Sequence, residues 1–138
     1  MKSFREIFGD EKSNYQEALD LYYSSKPHLE WSQQYISEYA MAHPLEDWAE
    51  CWAHYLHMVD TLETARHYKV LEIHDSDELG TQLFYWSNLS VALNELNRSM
   101  GLSDAYPFIL NLSVIRKLGF VNQVIDPNFT IIPVKESP

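Results

Sequence analysis

Glu46, Glu50, His54 and His57 are the residues of this chain whose types and spacing could do chemistry. They lie in the run H-P-L-E-D-W-A-E-C-W-A-H-Y-L-H-M-V-D, from His43 to Asp60, which no glycine interrupts and no proline after Pro44. Glu46/Glu50, Glu50/His54 and His54/His57 stand three or four apart, the spacing that puts two metal ligands on one helical face. Zinc takes imidazole nitrogen and carboxylate oxygen, and catalytic zinc uses three protein ligands and a water. The H-E-x-x-H motif occurs nowhere in the chain. A Glu/His stripe of this kind can hold a metal, tune a neighbouring site or simply form the wet face of an amphipathic helix.

The stripe exists only if the run is helical. Pro44 suits a first helical position, where its missing N–H is not needed, with His43 as N-cap. Glu46 and Asp47 then fall in the first turn, where negative charge opposes the helix dipole favourably. With Glu46 set at zero and ~100° per residue, His57 falls near ~20°, Glu50 near ~40° and His54 near ~80°. Trp48, Val59, Trp52, Leu45, Leu56, Ala49 and Ala53 sweep ~200° to ~340°. This apolar arc is the expected core face.

Around it the pattern predicts an all-α, compact single-domain bundle of five or six helices spanning residues 1–138, with the central helix at about 44–66. Residues 3–9 read as a short helix, with Ser3 and Glu6 as a capping box and Gly9 as stop. Asn14 and Glu17 open a second helix, which Pro27 ends. Trp31, Tyr35, Ile36 and Tyr39 suggest a third over about 30–42. V-L-E-I at 70–73 could pair as a short strand. Residues from about 78 to 99 make a long helix, with Leu89, Leu93, Leu96 and Met100 as core and Gly101 closing it. A last helix covers about 112–125, with Val114, Leu118, Val121 and Ile125 on one stripe. The tail after Pro127 is apolar and is expected to dock on the body as an extended segment.

Composition narrows the function. A chain of 138 residues can bury a real core, and aromatics reach 14%. The net charge of −10 with no basic patch excludes the usual nucleic-acid footprint. No apolar run is long enough to span a membrane. The single cysteine, Cys51, excludes an internal disulfide and a cysteine-rich zinc ribbon. With no signal peptide, a cytoplasmic location is the default. The Asn-x-Ser/Thr triplets at Asn88, Asn97, Asn111 and Asn128 read as chance. An EF-hand opening at Asp75 fails, because Leu79 and Trp86 stand where ligands are needed. There is no G-x-S-x-G, Cys51 lies mid-helix, and Gly-rich phosphate loops are absent.

The run from His43 through T-L-E-T-A, together with F-R-E-I-F-G-D-E upstream, N-E-L-N-R-S-M-G-L-S-D-A-Y-P-F downstream and then V-I-R-K-L-G-F-V, resembles the C-terminal half of a bacterial family described as "putative zinc-binding metallopeptidases". The resemblance is collinear over nearly the whole chain. It implies an H-E-x-x-H helix shortly before F-R-E-I-F-G, supplying two His ligands and a general-base Glu. These residues do not include it, so the chain reads as a fragment, a split gene product or a degenerate member. The E-x-x-A-E pattern from Glu46 to Glu50 is similar to the ligand helix of lethal-factor-type metallopeptidases. The similarity implies Glu46 as a zinc ligand and Glu50, one turn on, as orienting a His ligand. It also implies Tyr39 as an oxyanion stabiliser, against the plain alternative of an aromatic core contact.

Three expectations follow. The chain is the C-terminal portion of a zinc-dependent peptidase-like protein acting on peptides, inactive alone because one carboxylate cannot hold catalytic zinc. Alternatively it is a stand-alone helical module that self-associates, or that docks a partner segment over the surface left by the missing helix. A narrower variant is an adventitious metal site at Glu50, His54 and His57.

Overall fold

The computed structural model describes residues 3–25, 30–74 and 78–126. Among them the fold is all-α: α1 (Phe4–Phe8), α2 (Tyr15–Ser24), α3 (Pro44–His67), α4 (Leu79–Ser99) and α5 (Leu112–Ile125), with no strand. Pro27, the acidic run at 75–77 and the tail after Pro127 lie outside the described residues.

Local signals account for most helix ends. Ser3 and Glu6 form the capping box of α1, and the Asn14 side chain accepts from the Glu17 N–H at the start of α2. His43 caps α3 through Nδ1, which accepts the Leu45 N–H at 3.1 Å, and Pro44 follows as expected. Gly9 leaves α1 at φ 101°, and a Cβ there would meet Pro44 Cγ at 3.3 Å. So Gly9 serves both a left-handed turn and the close approach of α1 to the start of α3.

The segment expected as a helix over 30–42 is instead two short 3-10 turns, Trp31–Gln33 and Tyr39–Ala42. The reason is competition for backbone groups. Lys117 Nζ donates to the Gln34 carbonyl at 2.8 Å, and Asn111 Nδ2 donates to the Ser32 carbonyl at 2.6 Å. Ala40 N–H donates to Ser37 Oγ at 3.2 Å. Side chains have captured groups that an α-helix would pair with itself. The V-L-E-I piece is likewise irregular.

The core face of α3 differs from the expected one. Asp47, Cys51, His54, Tyr55, Met58, Leu62 and Ala65 are buried. On the same wheel they occupy ~80° to ~180°. The arc from ~200° to ~340° is largely outside: Leu45, Leu56 and Val59 are exposed, and Trp48 and Trp52 are half-buried. α3 therefore carries two apolar arcs, and the body covers the one that includes a carboxylate and an imidazole. On α4, Leu89 is buried, but Leu96 and Met100 are exposed. That end of α4 is held by polar contacts to the following loop: Asn94 exchanges two 2.8 Å hydrogen bonds with the Tyr106 backbone, and Arg98 pairs with Asp104. On α5, Val114, Leu118 and Val121 are buried as expected, while Ile125 is exposed.

Among the polar joints that cross this core, two bear on the residues singled out above. Asp47 on α3 meets Lys117 on α5 at 2.6 Å, with side chains 2% and 6% exposed. Lys117 also lies 4.3 Å from the centre of the Tyr35 ring. Burial pushes the Asp47 carboxyl above its ordinary value, and the Lys117 contact pulls the other way. The second joint is His54 Nδ1, 2.7 Å from the Tyr106 hydroxyl, with Phe108 packed edge-on against the imidazole. Burial holds the Tyr106 phenol protonated and lowers the His54 value, so the contact joins a neutral phenol to a neutral imidazole.

Breaking a buried pair strands the surviving charge. Asp47→Ala or Lys117→Ala should each cost about 3–5 kcal/mol in urea unfolding. The double exchange Asp47→Leu/Lys117→Met should cost less than either, and a near-neutral single variant would contradict the role given to the pair. His54 makes a pH prediction. Its folded-state value lies below the ordinary 6.5, so unfolding takes up a proton in the window beneath 6.5 and stability rises with pH there. The urea midpoint should drop as pH falls below 6.5 and level off above it. His54→Gln should flatten that slope, and an unchanged slope would refute the assignment.

Candidate metal-ligand edge

The N-terminal turn of α3, the Tyr39–Ala42 turn and the start of α2 meet at one edge of the molecule. The rotation of α3 that buries Asp47 leaves Glu46, the preceding residue, half-buried at the rim. Tyr15 of α2 donates its phenol to Glu46 Oε1. Its ring also packs edge-on against His43, centroids 5.1 Å apart. His43 in turn sits 2.9 Å from Ser13 Oγ, so the loop before α2 is tied to the cap of α3. Contact with Glu46, above all the hydrogen bond, raises the Tyr15 phenol above its usual value.

Tyr39 stands beside Tyr15 in the same cluster and feels the Glu46 charge. Desolvation first, then the Glu46 carboxylate, pushes its phenol up to about 12. It is therefore a neutral donor at any physiological pH. Tyr22 packs on its ring at 5.7 Å. Glu50, one turn after Glu46, accepts from Ser37 Oγ at 2.6 Å. Since Ser37 Oγ also receives the Ala40 N–H, Glu50 pins the turn that carries Tyr39.

The stripe read from the sequence thus splits. Glu46 and Tyr39 come together and Glu50 supports the same edge. His54 is consumed by Tyr106 inside the core, and His57 is exposed to solvent. Among the described residues no three His, Cys, Asp or Glu side chains cluster as a metal would need. The shared site at Glu50, His54 and His57 is therefore not formed by these residues. Glu46 has the chemistry to give zinc one oxygen, and these residues alone do not complete a zinc centre. Sequence reasoning passed over Tyr15 and Lys117. Nothing in the spacing of either marks Tyr15 as a partner of Glu46 or Lys117 as a buried partner of Asp47.

Among the described residues no helix is long and apolar enough to cross a membrane. Three uncharacterised mycobacterial proteins, two from strains of Mycobacterium tuberculosis and one from Mycobacterium bovis, are each 40% identical to this chain over 134 residues. The match covers 91% of this chain and 39% of each relative, so the chain spans about two fifths of their length. No solved structure matches it. The family described as "Putative zinc-binding metallo-peptidase" matches residues 1–124, and this chain belongs to that family.

Proposed function

We propose that these residues supply the glutamate-ligand helix of a zinc-peptidase centre, as the C-terminal portion of a metallopeptidase-like protein. The observation that carries the reading is the meeting of Glu46 and Tyr39 at one rim, with Tyr15 on the carboxylate. Glu46 is the ligand this chain contributes. Its carboxylate enters the first turn of α3, and Tyr15 holds one of its oxygens, limiting the rotamers it must lose on binding a cation. Zinc, when bound, polarises a peptide carbonyl and lowers the pKa of the attacking water.

Tyr39 is the oxyanion donor in this reading. Its neutral phenol offers a proton to developing negative charge without having to be protonated first. Glu50 positions Tyr39 by way of Ser37, a role different from orienting a His ligand. The substrate is a peptide, and the partner is the segment of a longer family member that brings the two His ligands and the general base.

A single carboxylate does not retain catalytic zinc. The purified 138-residue chain, assayed on casein or a peptide library with added zinc, should show no chelator-sensitive hydrolysis. Chelator-sensitive turnover that survives Glu46→Gln would overturn the proposal.

A further inference from the structure

The outer apolar arc of α3 carries a regular repeat. Leu45, Ala49, Trp52, Leu56 and Val59 stand four, three, four and three apart. This is the spacing of a seam that receives a second helix, and it runs over ~21 Å of α3. Leu45, Ala49, Leu56 and Val59 are exposed, and Trp52 is half-buried. The small side chain of Ala49 lets a neighbouring backbone approach closely. Two adjoining grooves, about 610 and 560 Å³, open along the seam, and Trp48 and Val124 line both.

We propose that this seam docks an amphipathic α-helix from outside this chain, one with an aliphatic stripe and lysine or arginine along its flank. Charge sets the chemistry of the occupant. The next position of the repeat is Glu63, and Asp60 flanks the seam near ~320° on the same wheel. Both are exposed. At the other end Arg5 and Glu11 line the groove, but they pair with each other at 2.8 Å. Arg66 lies on the opposite flank, near ~200°, and is half-buried. A docked helix therefore meets the carboxylates of Asp60 and Glu63.

A second copy of this chain answers them poorly. In a parallel pair Glu63 faces Glu63. In an antiparallel pair the Asp60 end of one seam lies against the Glu46 end of the other. Each arrangement sets like charges together, between chains that each carry a net charge of −10. A basic flank turns the same carboxylates into favourable contacts and is steered toward them. The inference concerns the outer arc of α3 and is independent of the zinc reading.

The test uses the full chain and two tryptophan-free helical peptides of about three heptads, both with leucine along the stripe. One carries lysine on its flank and the other glutamate, and both are used where light scattering shows them monomeric. Titration at about pH 8 keeps the imidazoles neutral. The lysine peptide should bind and shift the tryptophan emission to the blue. The glutamate peptide should bind about tenfold more weakly or not at all, with the gap narrowing in high salt. Asp60→Lys/Glu63→Lys should reverse the preference. Leu56→Asp, at an exposed position, should keep the helical circular dichroism and lose both peptides. Equal affinity for the two peptides, binding of neither, or lysine-peptide binding that survives Leu56→Asp would overturn the proposal. So would a dimer of the unsubstituted chain that Leu56→Asp dissociates, because a second copy would then occupy the seam.

Discussion

A charge pair buried between α3 and α5 sets the frame on which the rest depends. Taking Asp47 and Lys117 out of water is expensive, and the cost is offset only by good geometry and further hydrogen bonds. Here both conditions are met. The pair is 2.6 Å apart, Lys117 also donates to the Gln34 carbonyl, and the Cys51 thiol reaches Asp47 at 3.6 Å. Because Asp47 must point inward, the rotation of α3 is decided. Glu46 then falls on the rim and Leu45 and Leu56 fall outside. The same lysine holds the 31–42 segment against α5, which brings Tyr39 to Glu46. The site geometry is thus a consequence of a core contact rather than of the stripe itself.

Capping and periodicity made much of the fold readable. Ser3, Asn14, His43 and Gly101 mark ends that the structure confirms, since each acts within a few residues of itself. What failed is long-range. Trp31, Tyr35 and Tyr39 keep a helical spacing, yet Asn111 and Lys117 take the carbonyls that a helix would need, from about 80 residues away. The core arc of α3 was misplaced for a related reason. Hydrophobicity favours the arc with two tryptophans, and only the lysine on α5 explains why a carboxylate lies on the other. Gln34, Asn111 and Lys117 look like surface residues one at a time.

The Glu/His stripe shows how little spacing says about roles. Four residues on one face of a helix have four different fates. Glu46 is held at a rim by a phenol, Glu50 pins a turn, His54 seals a core joint and His57 faces solvent. The imidazoles looked most like ligands, but burial beside Tyr106 and Phe108 makes His54 a neutral packing group. The resemblance to a zinc-binding family pointed instead to Glu46 and Tyr39, which the fold brings together. Family membership covers residues 1–124, and the relatives extend well beyond the matched region.

The most direct measurement is the zinc content of the full-length Mycobacterium tuberculosis relative, with and without glutamine at the residue aligned with Glu46. The account predicts that the unchanged protein holds zinc in stoichiometric amount. The variant should lose it while retaining its helical circular dichroism. Full zinc occupancy in a folded variant would contradict the assignment of Glu46 as the ligand this region contributes.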